Sequence, residues 1–356
     1  MNRIDAFLEL AVHQGGSDLH FVSGQPPRVR LAGRLQPVRF RELSERDVQD
    51  FLTEFMTEPQ RAAFQAHKVV DFAYESENVG RFRVNVYEHS GGIAAAFRVV
   101  PTKTPELSSL GLPGAVQSTL EVGKGLVLVT GPTGSGKSTT LCAMIDHVNS
   151  TRNDHIITIE DPIEFVHTFR KCVITQREVG THAPSFSEAL RSALREDPDV
   201  ILVGEMRDLE TISLALTAAE TGVLVLGTLH TNGAVRSVDR IVNVFPPRRQ
   251  EQVRTMLSGS LRMVVSQQLV RKLDQTGRLV AAEVMVNTHA VGSMIRQGNT
   301  HKLQSAIQAG GRIGMQSLDG VLQDLVRREI ITAEEAYDHA IDRNQFEHHG
   351  GNDLAA

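Results

Sequence analysis

Residues 131–138 read Gly131-Pro132-Thr133-Gly134-Ser135-Gly136-Lys137-Ser138 and fit the pattern G-x-x-x-x-G-K-[ST]. Glycines at these places let the backbone curl until several N–H groups face one point. That nest, together with the N-terminal end of the next helix, attracts phosphate. The flanks suit the motif: Gly125–Val129 is a short apolar run, and Thr139–Val148 places Leu141, Met144, Ile145 and Val148 on one helical face. Gly131, Thr133, Gly134, Ser135, Gly136, Lys137, Ser138 and Thr139 are therefore the candidate ATP-binding residues. Lys137 is placed to reach the β- and γ-phosphates, and the Ser138 hydroxyl to ligate Mg²⁺. The cofactor set expected from this loop is ATP with Mg²⁺.

Outward from the loop, short apolar runs alternate with helical patterns. His155–Ile159, Val200–Val203 and Val223–Thr228 read as strands; Phe186–Leu194 and Leu209–Glu220 read as helices, the latter stopped by Gly222. Strands alternating with helices predict an α/β domain with a parallel-rich sheet covered on both faces. From about residue 287 the pattern is mainly helical, and the polar stretch 346–356 reads as a flexible tail. Upstream, Arg28-Val29-Arg30-Leu31 and the alternation of Phe82, Val84 and Val86 with Arg81, Arg83 and Asn85 have strand periodicity. Residues 1–100 thus predict a smaller α+β domain. Pro101, Pro105 and Gly111-Leu112-Pro113-Gly114 mark 101–113 as a linker.

Two apolar runs end in acids where a parallel sheet presents its ligands. One is Ile156–Ile159, followed by Glu160, Asp161 and Glu164. The other is Val200–Val203, followed by Gly204 and Glu205. An acid there can hold the Mg²⁺ water shell or activate a water; Glu205 is the candidate metal-side acid beside Ser138. His230 follows the next apolar run, near the same sheet edge, where it could sense the γ-phosphate. Arg81 and Arg83 share one strand face and Arg98 ends another apolar run. A guanidinium fork suits a transferring phosphoryl group, so the three are candidate phosphate contacts, in this subunit or a neighbouring one.

Composition narrows the function classes. The 356 residues imply two or three domains. Apolar residues are 41% and charged residues 22%, the balance of a globular protein. A net charge of −5 with no Trp argues against a nucleic-acid coat or a stacking platform. Residues 1–12 do not read as a signal peptide, and no apolar run reaches membrane-spanning length. The two cysteines, Cys142 and Cys172, form no C-x-x-C pair, which excludes a cysteine zinc module.

Taken together with Ile159-Glu160-Asp161-Pro162-Ile163-Glu164, Ser192–Asp199, Gly204-Glu205-Met206-Arg207-Asp208 and Gly227-Thr228-Leu229-His230-Thr231-Asn232, the loop resembles the secretion-ATPase superfamily. The resemblance is closest to its type IV pilus retraction (twitching motility) branch, and Ser17-Asp18-Leu19-His20 and Gly314–Asp319 extend it. It implies a PAS-like first domain, a RecA-like domain over 114–345, a homohexameric ring and ATP held between domains. It implies Glu164 as the general base, Glu205 as the strand-end acid serving Mg²⁺, and His230 as part of a histidine box. By position it also implies that Arg81, Arg83 and Arg98 approach phosphate. Partners implied are an inner-membrane pilus platform protein and a paralogous pilus ATPase, with a cytoplasmic location at the inner membrane face and no nucleic acid. Two departures stand out. Val223 occupies the place of a second box histidine, and Ala290–Gln297 carries Gly292-Ser293 and Gln297 where the family has Arg-Asn and an acid. An accessory paralogue of the main motor and a nucleic-acid translocase are the alternatives.

Overall fold

The computed structural model describes residues 2–31, 33–100, 104–274 and 277–346. It resolves into two compact units, Met1–Lys103 and Thr104–Ala356.

The first unit is α+β. Strands β1 (Asp18–Val22), β2 (Arg28–Leu31), β3 (Arg34–Pro37), β4 (Val69–Ser76), β5 (Gly80–His89) and β6 (Gly92–Val100) form one antiparallel sheet in the order β3-β2-β1-β6-β5-β4. Alternation sends Leu19, Phe21, Phe82, Val84 and Phe97 to one face, where helices Arg3–His13 and Glu45–Phe55 cover them with Ile4, Leu8, Val48 and Phe51. The Glu45–Phe55 helix starts where the Ser44 side chain accepts the Asp47 backbone N–H, meeting one of the unpaired first-turn donors.

The second unit holds seven strands: β7 (Gly125–Thr130), β8 (His155–Glu160), β9 (Val173–Glu178), β10 (Val200–Val203), β11 (Leu224–Leu229), β12 (Leu261–Arg271) and β13 (Arg278–Val286). Their order is β13-β12-β7-β11-β10-β8-β9, all parallel except the antiparallel β12–β13 pair. The central strands are apolar at nearly every position because both faces are covered. Leu126, Leu128, Ile157, Ile201, Val203 and Val225 face one core layer, with helices Phe186–Ala193, Leu209–Glu220 and Pro247–Ser260. Val127, Val129, Ile156, Val200, Leu202 and Leu226 face the other, with helices Ala115–Glu121 and Lys137–Thr151. This places the carboxyl ends of β7, β11, β10 and β8 side by side, and the segments holding Gly131–Ser138, Glu164, Glu205 and His230 leave from that edge.

Two expectations on chain organisation, the linker and the tail, fare differently. Residues 101–103 of the expected linker lie outside the described residues. The remainder, 104–113, is built into the second unit, where the turn Leu107–Leu110 buries Leu107 in the core. Of the expected tail, 347–356 lies outside the described residues, while Phe346 is buried against Leu318 and Leu322.

Candidate active site

Strand β7 runs straight into the phosphate loop. Gly131, Gly134 and Gly136 have φ of +143°, +80° and +87°, which L side chains rarely adopt. At Gly131 space forbids a side chain as well: a Cβ would sit 2.2 Å from the Gln267 carbonyl oxygen on β12. Gln267 is fully buried and its Nε2 donates to the Ser135 carbonyl at 2.7 Å, so β12 props the loop from beneath. Gln267→Leu keeps the volume but strips that donor, leaving a buried carbonyl unpaired at a cost of about 1–3 kcal/mol. A lowered thermal midpoint and weaker nucleotide binding are the expected outcomes, read by melting with and without ATP.

Lys137 opens the Lys137–Thr151 helix and is nearly buried. Its Nζ donates to the Gly131 and Pro132 carbonyls at 3.0 and 2.9 Å. An ammonium has three donors, so one remains for a ligand. Burial pushes the Lys137 pKa down, and the nearby Glu205 and Glu164 carboxylates pull against that shift. Ser138 is the next helical residue. Thr133, Gly134, Gly136, Lys137, Ser138 and Thr139 line a cleft of about 530 Å³, whose opposite walls include Glu164, Glu205 and His230. The structure thus gathers these loop residues with Glu164, Glu205 and His230 around one space, while Gly131 and Ser135 belong to the loop without lining it.

Glu205 leaves β10, and its side chain is mostly shielded. Its Oε1 contacts Arg207 Nε and lies 3.1 Å from His230 Nε2, just past the end of β11. Hard oxygen donors from Ser138 and Glu205, few in number, suit Mg²⁺, which keeps most of its waters. Val223 lies at the other end of β11, where its carbonyl accepts the Gly125 N–H. Six strand residues, roughly 20 Å, separate it from the His230 edge.

Glu164 belongs to an irregular segment after β8, so side chains must hold it. Gln176 on β9 does this twice: Nε2 donates to the Phe165 carbonyl at 2.9 Å and Oε1 accepts the His167 N–H at 2.8 Å. Glu178 Oε2 accepts the Ile163 N–H at 3.1 Å. Burial raises the Glu160 pKa, against hydrogen bonds from the Thr158 hydroxyl, the Gln176 amide and the Glu164 backbone. Glu164 itself stays exposed toward the cleft. None of Gln176, Glu178 and Gln267 was singled out from sequence. The available signal was polar residues interrupting strands, as in Thr175-Gln176-Arg177-Glu178 and Ser266-Gln267-Gln268.

His167 lines the same cleft, buried, with Nδ1 unpartnered. Burial depresses its pKa to about 4, with Asp146 opposing the shift. The folded state therefore refuses a proton that the unfolded chain accepts at about 6.5, so this contribution is intact above 6.5 and is lost as pH falls toward 4. The loss is on the order of 3 kcal/mol. His167→Phe is expected to flatten the fall in thermal midpoint between pH 7 and 4.5; an unchanged slope would contradict the burial account.

Arg81 and Arg83 lie on β5 and Arg98 on β6, all in the first unit, whereas all residues lining the cleft belong to the second. Arg98 is not a bare surface side chain: its Nε donates to Asp18 Oδ1 at 2.9 Å. The Ala290–Gln297 segment forms the His289–Arg296 helix. There Gly292 packs so closely that a Cβ would lie 3.1 Å from the Ser258 carbonyl.

Comparison with known proteins gives the family and the fold. The family model described as "Type II/IV secretion system protein" matches residues 2–352. The type IV pilus retraction ATPase PilT of Pseudomonas aeruginosa is 49% identical, over 95% of this chain and 98% of that protein. The type IV pilus ATPase PilU of the same species is 40% identical, over 96% and 90%. A crystal structure of the pilus retraction motor PilT with bound ADP superposes with a TM-score of 0.91 at 44% identity, covering 98% of this chain and 99% of that one. With its phosphate loop, strand-end acids and RecA-like sheet, this chain belongs to the type II/IV secretion system protein family, in the branch of the type IV pilus retraction ATPases.

Proposed function

We propose that this chain is a ring-forming ATPase that powers type IV pilus retraction by driving pilin disassembly. The observation that carries the chemistry is the convergence of Lys137, Ser138, Glu164, Glu205 and His230 on one cleft at the carboxyl edge of a parallel sheet. The loop N–H groups and Lys137 bind the β- and γ-phosphates of ATP. Glu164 takes the proton of the attacking water as general base. Ser138 and Glu205 would hold Mg²⁺, which would supply charge neutralisation at the transferring phosphoryl group. His230, tied to Glu205, registers whether the γ-phosphate is present. In a homohexamer, Arg81, Arg83 and Arg98 approach the phosphates of a nucleotide bound by a neighbouring subunit.

The mechanical reading rests on the PilT relatives, which share nearly the whole length of this chain. Among the described residues no helix is long and apolar enough to cross a membrane. The reading places the chain at the cytoplasmic face of the inner membrane, attached through a platform protein of the pilus machine, as the likeness to PilT suggests. A second reading, an accessory motor working beside a paralogue, is favoured by the likeness to PilU and by Gly292-Ser293 in the altered helix. The biochemical test is Mg²⁺-dependent ATP turnover by the purified chain, with its mass in solution. A hexamer whose turnover ignores single-stranded DNA supports the proposal. Stimulation by DNA would move the chain to the translocases.

A further inference from the structure

The Ser17-Asp18-Leu19-His20 segment has no part in the cleft, yet it builds a charged row on the first unit. Strand register sets Asp18 opposite Arg30 of β2 and Arg98 of β6, and Arg98 opposite Arg83 of β5. Arg30, Asp18, Arg98 and Arg83 thus run across four strands on the face away from the core, since their strand neighbours Val29, Leu19, Phe97 and Val84 are buried. The row holds three guanidinium groups and one carboxylate. Asp18 is only 7% exposed. Its Oδ1 accepts from Arg98 Nε at 2.9 Å, and its Oδ2 accepts from the Ser17 hydroxyl at 2.8 Å and lies 3.5 Å from Arg30 Nε. Burial alone would raise the Asp18 pKa. The Ser17 hydroxyl and the Arg98 guanidinium outweigh it and hold the group below the usual carboxylate range, so it is ionised at neutral pH.

Asp18 grips both arginines at Nε, the stem side of the fork. Arg30 also gives one terminal nitrogen to the Gly33 carbonyl at 3.0 Å. Among the described residues the terminal nitrogens of Arg98 have no hydrogen-bond partner. A carboxylate at Nε fixes the end of a long, rotamer-rich side chain while leaving its two-pronged face for a planar or tetrahedral anion. It also cancels part of the repulsion that Arg83 and Arg98 would feel as direct cross-strand neighbours.

We propose that Asp18 is a positioning residue for Arg98, presenting its open fork to nucleotide phosphate. This rests on the reading of Arg98 given above. The test is a double-mutant cycle on full-length protein, wild type, D18N, R98A and D18N/R98A, reading kcat, KM and thermal midpoint. R98A is expected to lose at least about tenfold in kcat. D18N is expected to lose about threefold or more with KM little changed, and the double variant to be no slower than R98A, because the two act as one unit. Wild-type kcat in D18N, or losses that multiply in the double variant, would overturn the proposal and leave Arg98 its role. Wild-type kcat in R98A would overturn the Arg98 reading itself. Should D18N melt below the assay temperature, R98K serves instead. It keeps the charge but has no Nε for Asp18 to hold, so it should fall toward R98A; wild-type turnover in R98K would overturn the proposal.

Discussion

Glu164→Gln is expected to lower kcat by about a thousandfold, the usual worth of a positioned general base, while ATP binding changes little. The reasoning is local. Glu164 reaches the cleft from a segment whose backbone is held by Gln176, Glu178 and Glu160, none of which grips the Glu164 carboxylate in a hydrogen bond. An amide of the same shape leaves those contacts intact and removes only the proton acceptor. The phosphate loop, where binding resides, is untouched. Single-turnover hydrolysis and a fluorescent-nucleotide titration separate the two quantities. Unchanged turnover would take the base role from Glu164; the half-buried neighbour Glu160, whose pKa is raised, would become the residue to test next.

Lys137→Ala is expected to act in the opposite order, with binding lost first. Nζ bridges the Gly131 and Pro132 carbonyls and has one donor left for phosphate. Removing it deletes a charge-assisted contact to ATP, on the order of 1.5–3 kcal/mol, or roughly ten- to a hundredfold in affinity. It also frees the loop from its internal brace. Folding should tolerate the change, because burial of the ammonium is itself unfavourable and the truncation removes that cost. The expected result is a near-native melting curve that ATP no longer shifts. A variant that still gains stability from ATP as the wild type does would show that the loop backbone and helix end suffice to bind.

The legible part of this protein was the part whose chemistry demands fixed spacing. Gly131–Ser138 needs positive φ at its glycines and a strand and helix on either side, so motif and context appear together in the chain. Glu205 and His230 were legible because apolar strands buried on both faces end abruptly, and the first polar residue beyond them lies at the sheet edge. What escaped reading was support across the sheet. Gln267 meets Ser135 across 132 positions of sequence, and Gln176 clamps a segment nine and eleven positions away. No periodicity predicts such pairings; only topology brings them together. The β12–β13 hairpin was passed over for a related reason, since polar Ser266, Gln267 and Glu283 interrupt its apolar pattern in order to hold loops. Val223 stands where the resembled family has a second box histidine, and β11 carries it to the far end of the strand from His230. Arg98, a candidate phosphate contact from the sequence, is held at Nε by Asp18, its cross-strand partner.

The central claim is that this ATPase pulls pili back. Its most direct test is deletion of the gene, with surface pili counted and twitching measured, and complementation by wild type and by E164Q. The account predicts excess pili and no twitching, restored by the wild-type gene and not by E164Q. Normal pilus numbers with normal twitching in the deletion strain would contradict it, and would assign retraction to another motor.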